Sequence, residues 1–283
     1  MNMLIIENEP IIRLGLFIGI FLAVALGELA APRRRLTTSK GSRWFANIGI
    51  VVINTAFVRF LFPVAAVGMA VIAAQRTWGL FNNVAVPYWV AVVLSVVILD
   101  LMIYLQHRLF HAVRFLWRLH MMHHADLDFD VTTGTRFHPI EIVISMLIKI
   151  AVVVLIGAPA ASVIIFEVLL NGTAMFNHSN LFVPVNVDRV LRLFMVTPDM
   201  HRVHHSVFDF ETNSNFGFNV PWWDRLMGTY RDQPELGHGG MTIGLNQFRD
   251  PIRLTLPHML ALPFTGEPGN YPVTCRGSSH DDS

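Results

Sequence analysis

The stretch "HRLFHAVRFLWRLHMMHHADLD", residues 107–128, carries five histidines within eighteen positions. A second stretch, "DMHRVHHS" at 199–206, comes about eighty residues later. Both come after strongly apolar sequence, and the second repeats a spacing found in the first. The clustered histidines are His107 and His111, then His120, His123 and His124, and finally His201, His204 and His205.

Helical geometry predicts that each histidine group points at one spot. A helix turns about 100° per residue, so histidines spaced by three or four positions share a face. Neutral imidazole is a good ligand for iron, zinc, copper and nickel. Eight imidazoles exceed what one ion can use, which favours two ions. A pH-sensing or merely interfacial histidine-rich helix is the alternative, but two groups with the same spacing favour a metal site.

The composition is that of a membrane protein. The chain has 283 residues, of which 53% are hydrophobic and 14% charged, whereas soluble domains have about 25% charged residues. A net charge of +1, with no basic stripe that has interleaved aromatic residues, gives no indication of nucleic-acid binding. A single cysteine, Cys275, excludes an internal disulfide and a cysteine-rich metal site.

The apolar runs predict an all-α bundle with about four to five membrane-embedded helices. The first run comes after Glu7 and Glu9, which favours an uncleaved helix over a signal peptide. The second bends at Pro63 and is either one long span or an interfacial helix with a shorter span after it. The last two are expected to form a hairpin. The runs are 11–32, 45–75, 86–106, 140–157 and 160–177.

Basic residues predict the orientation. They crowd the loop after the first run, whereas the loop at 76–86 carries only Arg76, so the first loop is expected to be cytoplasmic. All histidine groups then belong to a cytoplasmic helical cap. The basic residues of the first loop are Arg33, Arg34, Arg35, Lys40 and Arg43.

Polar residues inside the apolar runs are candidates for orienting the imidazoles. Asp100 and Tyr104 share a helix face with His107, and an ionisable residue within a span is usually functional. Asp100 is expected to accept a hydrogen bond from an imidazole, directly or through Tyr104 or water. A helix-packing hydrogen bond is the alternative. Glu167 and Asn171 repeat this arrangement with His178.

Two further histidines are candidate ligands or supporting residues. His178 lies in "FNHSN", at the end of the returning arm of the hairpin, and should reach the same surface. His138 lies in "TRFHPIE", immediately before a predicted helix start. The sequence leaves both assignments open.

The motifs "HRLFH", "HMMHH" and "HRVHH", with "TRFHP" and "NHSN" between them, resemble the fatty acid hydroxylase/sterol desaturase superfamily. The segment "NSNFGFNVPWWDRLMGTY", 213–230, is also similar to the segment after the last histidine cluster in that superfamily. The short first spacing and the single histidine before the last cluster make the pattern closer to the sterol- and alkylglycerol-oxidising members than to the fatty acid 2-hydroxylases. The resemblance covers about residues 90–232.

The resemblance implies an integral-membrane enzyme with two non-haem irons, held by the eight clustered histidines. It would use O2, and electrons from a cytoplasmic cytochrome b5- or ferredoxin-type donor, to oxidise a membrane lipid or sterol. The implied domains are transmembrane helices over 1–85, a di-iron catalytic domain over 86–235, and an interfacial segment with a disordered tail over 236–283. The tail is expected to be disordered from about residue 265.

Three functions remain open on the sequence. The first is a lipid hydroxylase, and a desaturase on the same scaffold is its close alternative, because both begin with hydrogen abstraction. The third is a non-enzymatic membrane protein that binds or transports metal. A transporter predicts ionisable residues along several spans, whereas the histidines here gather at one face.

Overall fold

The computed structural model describes residues 8–273, and all of their regular elements are helical apart from isolated bridges. Five segments are long and apolar enough to cross a membrane. The predicted all-α, multi-pass membrane bundle is therefore confirmed. The segments contain α1 (Glu9–Ala30), α2 (Lys40–Leu61) with α3 (Ala66–Gln75), α4 (Tyr88–Ala112), α6 (Pro139–Ile156) and α7 (Ala160–Asn177).

Short helices form a cap at the ends of these spans. The first of them, α5, is separated from the end of α4 by a single residue, Val113, and carries the second histidine group. The cap helices are α5 (Arg114–His124), α8 (Val185–Leu191), α9 (Pro198–His204), α10 (Asp209–Thr212), α11 (Trp222–Leu226), α12 (Gly237–Gly240) and α13 (Leu256–Thr265). Three 3-10 turns lie at Leu80–Asn82, Thr133–Thr135 and Pro251–Leu254.

The second apolar run breaks where Pro63 predicts. Helix α2 ends at Leu61 and α3 begins at Ala66. The buried side of α2 is polar and faces the cap: Asn47 donates to Thr132 Oγ1 and Asn54 donates to the Phe137 carbonyl. Helix α2 also packs on α6, and helix α3 packs on both α6 and α7. The segment Lys40–Asn82 as a whole is long and apolar enough to cross a membrane, with a break at residues 62–65.

The hairpin of α6 and α7 is confirmed, and its ends have local causes. Pro139 occupies the first turn of α6, where no backbone donor is needed. Gly157 ends the helix with φ +65°, and a Cβ there would lie 2.9 Å from the Trp78 carbonyl oxygen. Glycine is therefore required on both backbone and steric grounds.

Charged side chains inside the spans pair with each other. Glu167 on α7 accepts from Lys149 on α6 at 2.7 Å and from Arg13 on α1 at 2.8 Å. Such pairing is the usual way to accommodate charges at membrane depth. The expected association of Glu167 with His178 is therefore wrong, and Glu167 ties three helices together.

An acidic run, "DLDFD" at 126–130, attaches α2 to the cap. Asp126 accepts from both Nε and Nη2 of Arg43 at 2.7 Å, and Asp130 accepts from Nη1 at 2.6 Å. Asp128 accepts from the backbone and hydroxyl groups of Thr37 and Thr38. Arg43 is fully buried, so its charge is neutralised by carboxylates rather than by water.

The C-terminal segment is more ordered than the sequence predicts. Trp117 donates its indole N–H to the Pro268 carbonyl and stacks on Tyr271 at 5.7 Å between centroids. Tyr271 in turn donates to the Val207 carbonyl. The expected disorder from residue 265 is wrong up to residue 273, because an aromatic side chain fixes this segment to the core. Residues 274–283, with Cys275, lie outside the described part of the chain.

Replacing Arg43 should destabilise the protein severely. Arg43→Met leaves Asp126 and Asp130 buried without their cation, which costs about 3–5 kcal/mol. Arg59→Met on the exposed side of α2 is the matched control. Thermal unfolding of both purified proteins in detergent measures the difference. Equal melting temperatures for both variants and the parent protein would show that the ion pairs of Arg43 with Asp126 and Asp130 do not stabilise the fold.

Candidate metal centre

Four elements deliver the histidines to one place. Helix α4 ends with His107 and His111, and α5 ends with the HxxHH triplet at 120–124. His178 caps the C-terminus of α7. The short helix α9, with its C-cap, carries the triplet at 201–205. Because each group lies at a helix end, a small rotation of one helix relative to another decides whether the groups meet.

The histidines form two adjacent clusters. Within each cluster the ligand nitrogens lie within 4.8 Å of one another. Rings of the two clusters approach to 4.5 Å between the centroids of His124 and His205, and to 5.0 Å between those of His201 and His204. The first cluster contains His107, His111, His120, His124 and His204, and the second contains His123, His178, His201 and His205.

The structure distinguishes His178 from His138, the two histidines whose role as metal ligands the sequence leaves open. His178 belongs to the second cluster, with Nε2 3.1 Å from that of His123 and 3.0 Å from that of His201. His138 belongs to neither: its Nδ1 accepts from the Ile140 backbone at the start of α6, and its Nε2 faces the Leu260 carbonyl. His138 is thus a helix cap, and the eight histidines of the three motifs converge with His178 as a ninth.

Hydrogen bonds at the far ring nitrogens fix which nitrogens face the centre of the first cluster. His107 donates from Nδ1 to the Phe216 carbonyl, His120 to the Glu141 carboxylate and His204 to the Ser214 carbonyl. A neutral imidazole has one N–H, so each Nε2 then carries a lone pair. Yet Nε2 of His107 lies 3.1 Å from that of His120 and 3.0 Å from that of His204.

The second cluster has the same arrangement around His178. His178 donates from Nδ1 to the Ala174 carbonyl, so its Nε2 also presents a lone pair to His123 and His201. Several other buried ring nitrogens have no hydrogen-bond partner, which is costly in a protein interior. They are Nε2 of His111 and His124, Nδ1 of His123 and His201, and both ring nitrogens of His205.

These observations fit a bound cation at each cluster. Facing lone pairs repel unless a cation lies between them. Nitrogens about 2.1 Å from a common ion, at right angles to one another, are about 3.0 Å apart, which matches the Nε2 separations. Donor sets of imidazoles alone suit iron, zinc, copper or nickel, and two clusters suit two ions.

Burial keeps the imidazoles in the form that binds metal. All nine rings are at most 4% exposed. Desolvation lowers the pKa of His120 and of His178 to about 3. It also lowers the pKa of the five other cap histidines well below the ordinary value. They are His123, His124, His201, His204 and His205.

Glu141 is a supporting residue that the sequence analysis missed. It lies in the first turn of α6, is 5% exposed, and accepts from His120 Nδ1 at 2.7 Å. A carboxylate behind a ligating histidine orients the ring and raises its basicity. The signal was available in "HPIE", where an acidic residue occupies the first turn of an otherwise apolar helix.

Asp100 and Tyr104 do not touch the imidazoles. Asp100 accepts from the Trp223 indole at 2.7 Å, and Tyr104 shares a hydrogen bond with Thr229 at 2.8 Å. The expected direct hydrogen bond from an imidazole to Asp100 is wrong, because the Phe216 carbonyl occupies the position beside His107 Nδ1.

Both residues instead brace the segment 213–230, which supplies the imidazoles' acceptors. Asp224 is fully buried and accepts from the backbone N–H groups of Phe216 and Gly217 and from the Thr229 hydroxyl. Those bonds fix the loop whose Ser214 and Phe216 carbonyls receive His204 and His107. The segment therefore positions two rings of the first cluster.

Aromatic rings surround the clusters and keep water away. Phe137 stacks on His123 at 4.5 Å, and Phe218 lies 5.0 Å from His107. Phe218 belongs to the apolar core of the spans, and Phe137 packs against that core. The remaining rings are Phe110, Trp117, Phe129 and Phe216.

Comparison with known proteins places this site in a family. The fatty acid hydroxylase family model matches residues 92–229, which include all nine histidines. Ornithine lipid hydroxylase OlsE of Rhizobium tropici is 32% identical over 148 residues, 52% of this chain and 44% of that protein. Alkylglycerol monooxygenase of Xenopus tropicalis is 26% identical over 238 residues, 81% of this chain and 51% of that protein.

The human alkylglycerol monooxygenase is 27% identical over 168 residues, 58% of this chain and 36% of that protein. The chain therefore spans about half, or less, of the length of the curated relatives it matches. No solved structure matches it.

Alanine at His178 and at His138 should have different effects on bound metal. His178→Ala leaves three imidazoles in the second cluster, so we expect about half of the metal, or more, to be lost. His138→Ala removes only a helix cap and should keep the full complement. Elemental analysis of the purified proteins measures both, and the idea fails if His178→Ala retains all of its metal.

Glu141 offers a graded test of histidine orientation. Glu141→Ala leaves His120 Nδ1 without its acceptor and should weaken metal binding about 10–100-fold. Glu141→Gln keeps an acceptor oxygen and should bind metal more tightly than the alanine variant. Metal retention against a chelator series measures the order. Identical retention in both variants would argue that Glu141 only supports packing.

Proposed function

Residues 92–229 belong to the fatty acid hydroxylase family, and from this premise we propose that the chain is a membrane-bound di-iron oxygenase that hydroxylates a lipid. The observation that carries the proposal is the convergence of imidazole nitrogens in two buried clusters, which fits two cations. Iron binds imidazole ligands and also supports the oxygen chemistry of the family, so we assign both ions as iron.

The nine histidines would hold the two ions, with five imidazoles for one and four for the other. A bound iron pair would supply the oxidising power, using dioxygen and external electrons, to attack an unactivated C–H bond. All-imidazole ligation leaves the centre more positive than carboxylate ligation would. Glu141 accepts a hydrogen bond from His120 without entering the donor set.

The chain's own residues orient the ligands and exclude water. The carbonyls of Ala174, Ser214 and Phe216 hold three rings in one tautomer. The aromatic rings around the clusters replace solvent, which protects a reactive site from side reactions. Phe137 and Phe218 connect the imidazoles to the apolar core of the spans, so we place the reacting part of the substrate on their side.

A membrane lipid is the substrate class that this position favours. The relatives are named for ornithine lipid and alkylglycerol oxidation, and both substrates are lipids. The apolar core next to Phe137 and Phe218 is continuous with the membrane spans, so an alkyl or sterol chain can approach from the bilayer. Electrons would come from a cytochrome b5- or ferredoxin-type protein.

Desaturation on the same scaffold is the second candidate. Removal of the first hydrogen is common to both reactions, and the outcome depends on whether oxygen is then added or a second hydrogen is removed. The hydroxylase and monooxygenase relatives favour oxygen addition.

The cytoplasm is the proposed side of the metal centre. Arg33, Arg34 and Arg35 come after α1 at the end of the bundle that carries the cap, and the opposite loop at 76–86 carries one arginine. A soluble electron donor would then reach the cap directly.

The function is tested by lipid analysis of a deletion strain that carries either the parent gene or a His204→Ala copy. With isotopically heavy dioxygen, the parent strain should contain a lipid with one labelled oxygen atom that the His204→Ala strain lacks. A lipid with two hydrogens fewer and no label would identify a desaturase instead. Identical lipids in the two strains would overturn an enzymatic role.

Orientation is tested with single cysteines in a Cys275→Ser background. Thr37→Cys should react with a membrane-impermeant maleimide only after the cells are opened, whereas Asn83→Cys should react in intact cells. The reverse pattern would place the cap on the outer side.

A further inference from the structure

A polar cavity lies in the cap, apart from the metal centre. Its volume is about 240 Å³, large compared with the roughly 10–15 Å³ that a cavity needs to hold one water. Three arginines line it, together with one acidic residue. The arginines are Arg34, Arg35 and Arg249, and the acid is Asp128.

The acidic residue does not neutralise the arginines through direct hydrogen bonds. Asp128 receives its hydrogen bonds from the backbone and hydroxyl groups of Thr37 and Thr38. Arg34 donates Nη2 to the Met241 carbonyl, and Arg249 donates Nη1 to the Ile243 carbonyl. The cavity therefore keeps an excess of positive charge.

Arg34 lines this cavity and has one guanidinium nitrogen without a hydrogen-bond partner. This nitrogen, Nη1, is buried. A buried guanidinium nitrogen without an acceptor is costly, and an oxyanion is the group that best matches a guanidinium. Asn180 lines the same cavity, and its amide nitrogen carries a second N–H besides the one that it donates to the Arg34 carbonyl.

The cavity lies close to the membrane and to the second histidine cluster. Arg34 lies four residues beyond Ala30, where α1 ends. Phe129 lines the cavity, and its ring stacks on His178 at 5.5 Å and lies 5.0 Å from His205. Both a lipid headgroup and a soluble anion can reach such a position.

We propose that this cavity is a binding site for a phosphate-bearing ligand, held by Arg34, Arg35 and Arg249. The ligand is separated from the metal centre by Phe129, so the site is distinct from the proposed catalytic one. The inference does not depend on the oxygenase activity, because it rests on the charge and shape of the cavity alone.

The first test measures thermal unfolding of the purified protein in neutral detergent, with inorganic phosphate titrated against chloride at constant ionic strength. Binding to the folded state should raise the melting temperature in a saturable way. Arg35→Gln and Arg249→Gln should weaken the apparent affinity about tenfold or more. Both positions are exposed enough to preserve folding. Arg253→Gln, which does not line the cavity, is the control and should respond like the parent.

A second test distinguishes the source of the phosphate. The same proteins are placed in nanodiscs of phosphatidylcholine, alone or mixed with phosphatidic acid. Stabilisation by phosphatidic acid that Arg35→Gln lacks and Arg253→Gln retains supports a lipid headgroup, whereas a response to inorganic phosphate alone supports a soluble ligand. The proposal is overturned if neither probe gives a saturable shift, or if all the variants respond alike.

Discussion

The structure depends on imidazole nitrogens that face each other across about 3 Å in a buried space. Without a cation, such an arrangement brings lone pairs together and leaves several ring nitrogens without partners. With two cations, the same arrangement becomes the strongest set of contacts in the cap. The clustered imidazoles therefore destabilise the folded cap, and metal binding removes this destabilisation. The stability of the cap is thus coupled to metal binding.

The surrounding polar network resists collapse of this space. Arg43, Asp126 and Asp130 attach α2 to the loop directly after the second histidine group. Asp224 fixes the backbone that receives His107 and His204, and Glu141 holds His120. Each contact approaches the clusters from a different element, so the rings are held from several sides before any ion binds.

The apolar spans and the polar cap meet at the clusters. Phe137 and Phe218 join the imidazoles to the core of α4, α6 and α7, while Phe129 separates them from the arginine-lined cavity. The proposed centre thus has an apolar side that suits a lipid chain and a polar side that suits a charged group. This polarity is what an enzyme acting on amphipathic molecules needs.

The sequence by itself determined the spans, the hairpin and the convergence of eight histidines. These features result from local rules: run length for spans, helical period for the histidine faces, and proline and glycine for the ends. It could not decide between His138 and His178, because each lies at a helix boundary and only packing shows which one reaches the other groups. From the shared helix face alone, the sequence predicts a hydrogen bond from an imidazole to Asp100, and this prediction is wrong.

Only the tertiary structure decided which partners the polar residues take. A carbonyl from a segment more than a hundred residues away occupies the position expected for Asp100, and Trp223 takes Asp100 instead. Glu167 pairs with Lys149 and Arg13, and Tyr271 orders a tail whose composition predicts disorder. Helical period states which direction a side chain points along its own helix. It contains no information about the loop or helix that packs there, and for buried polar groups that neighbour decides the role.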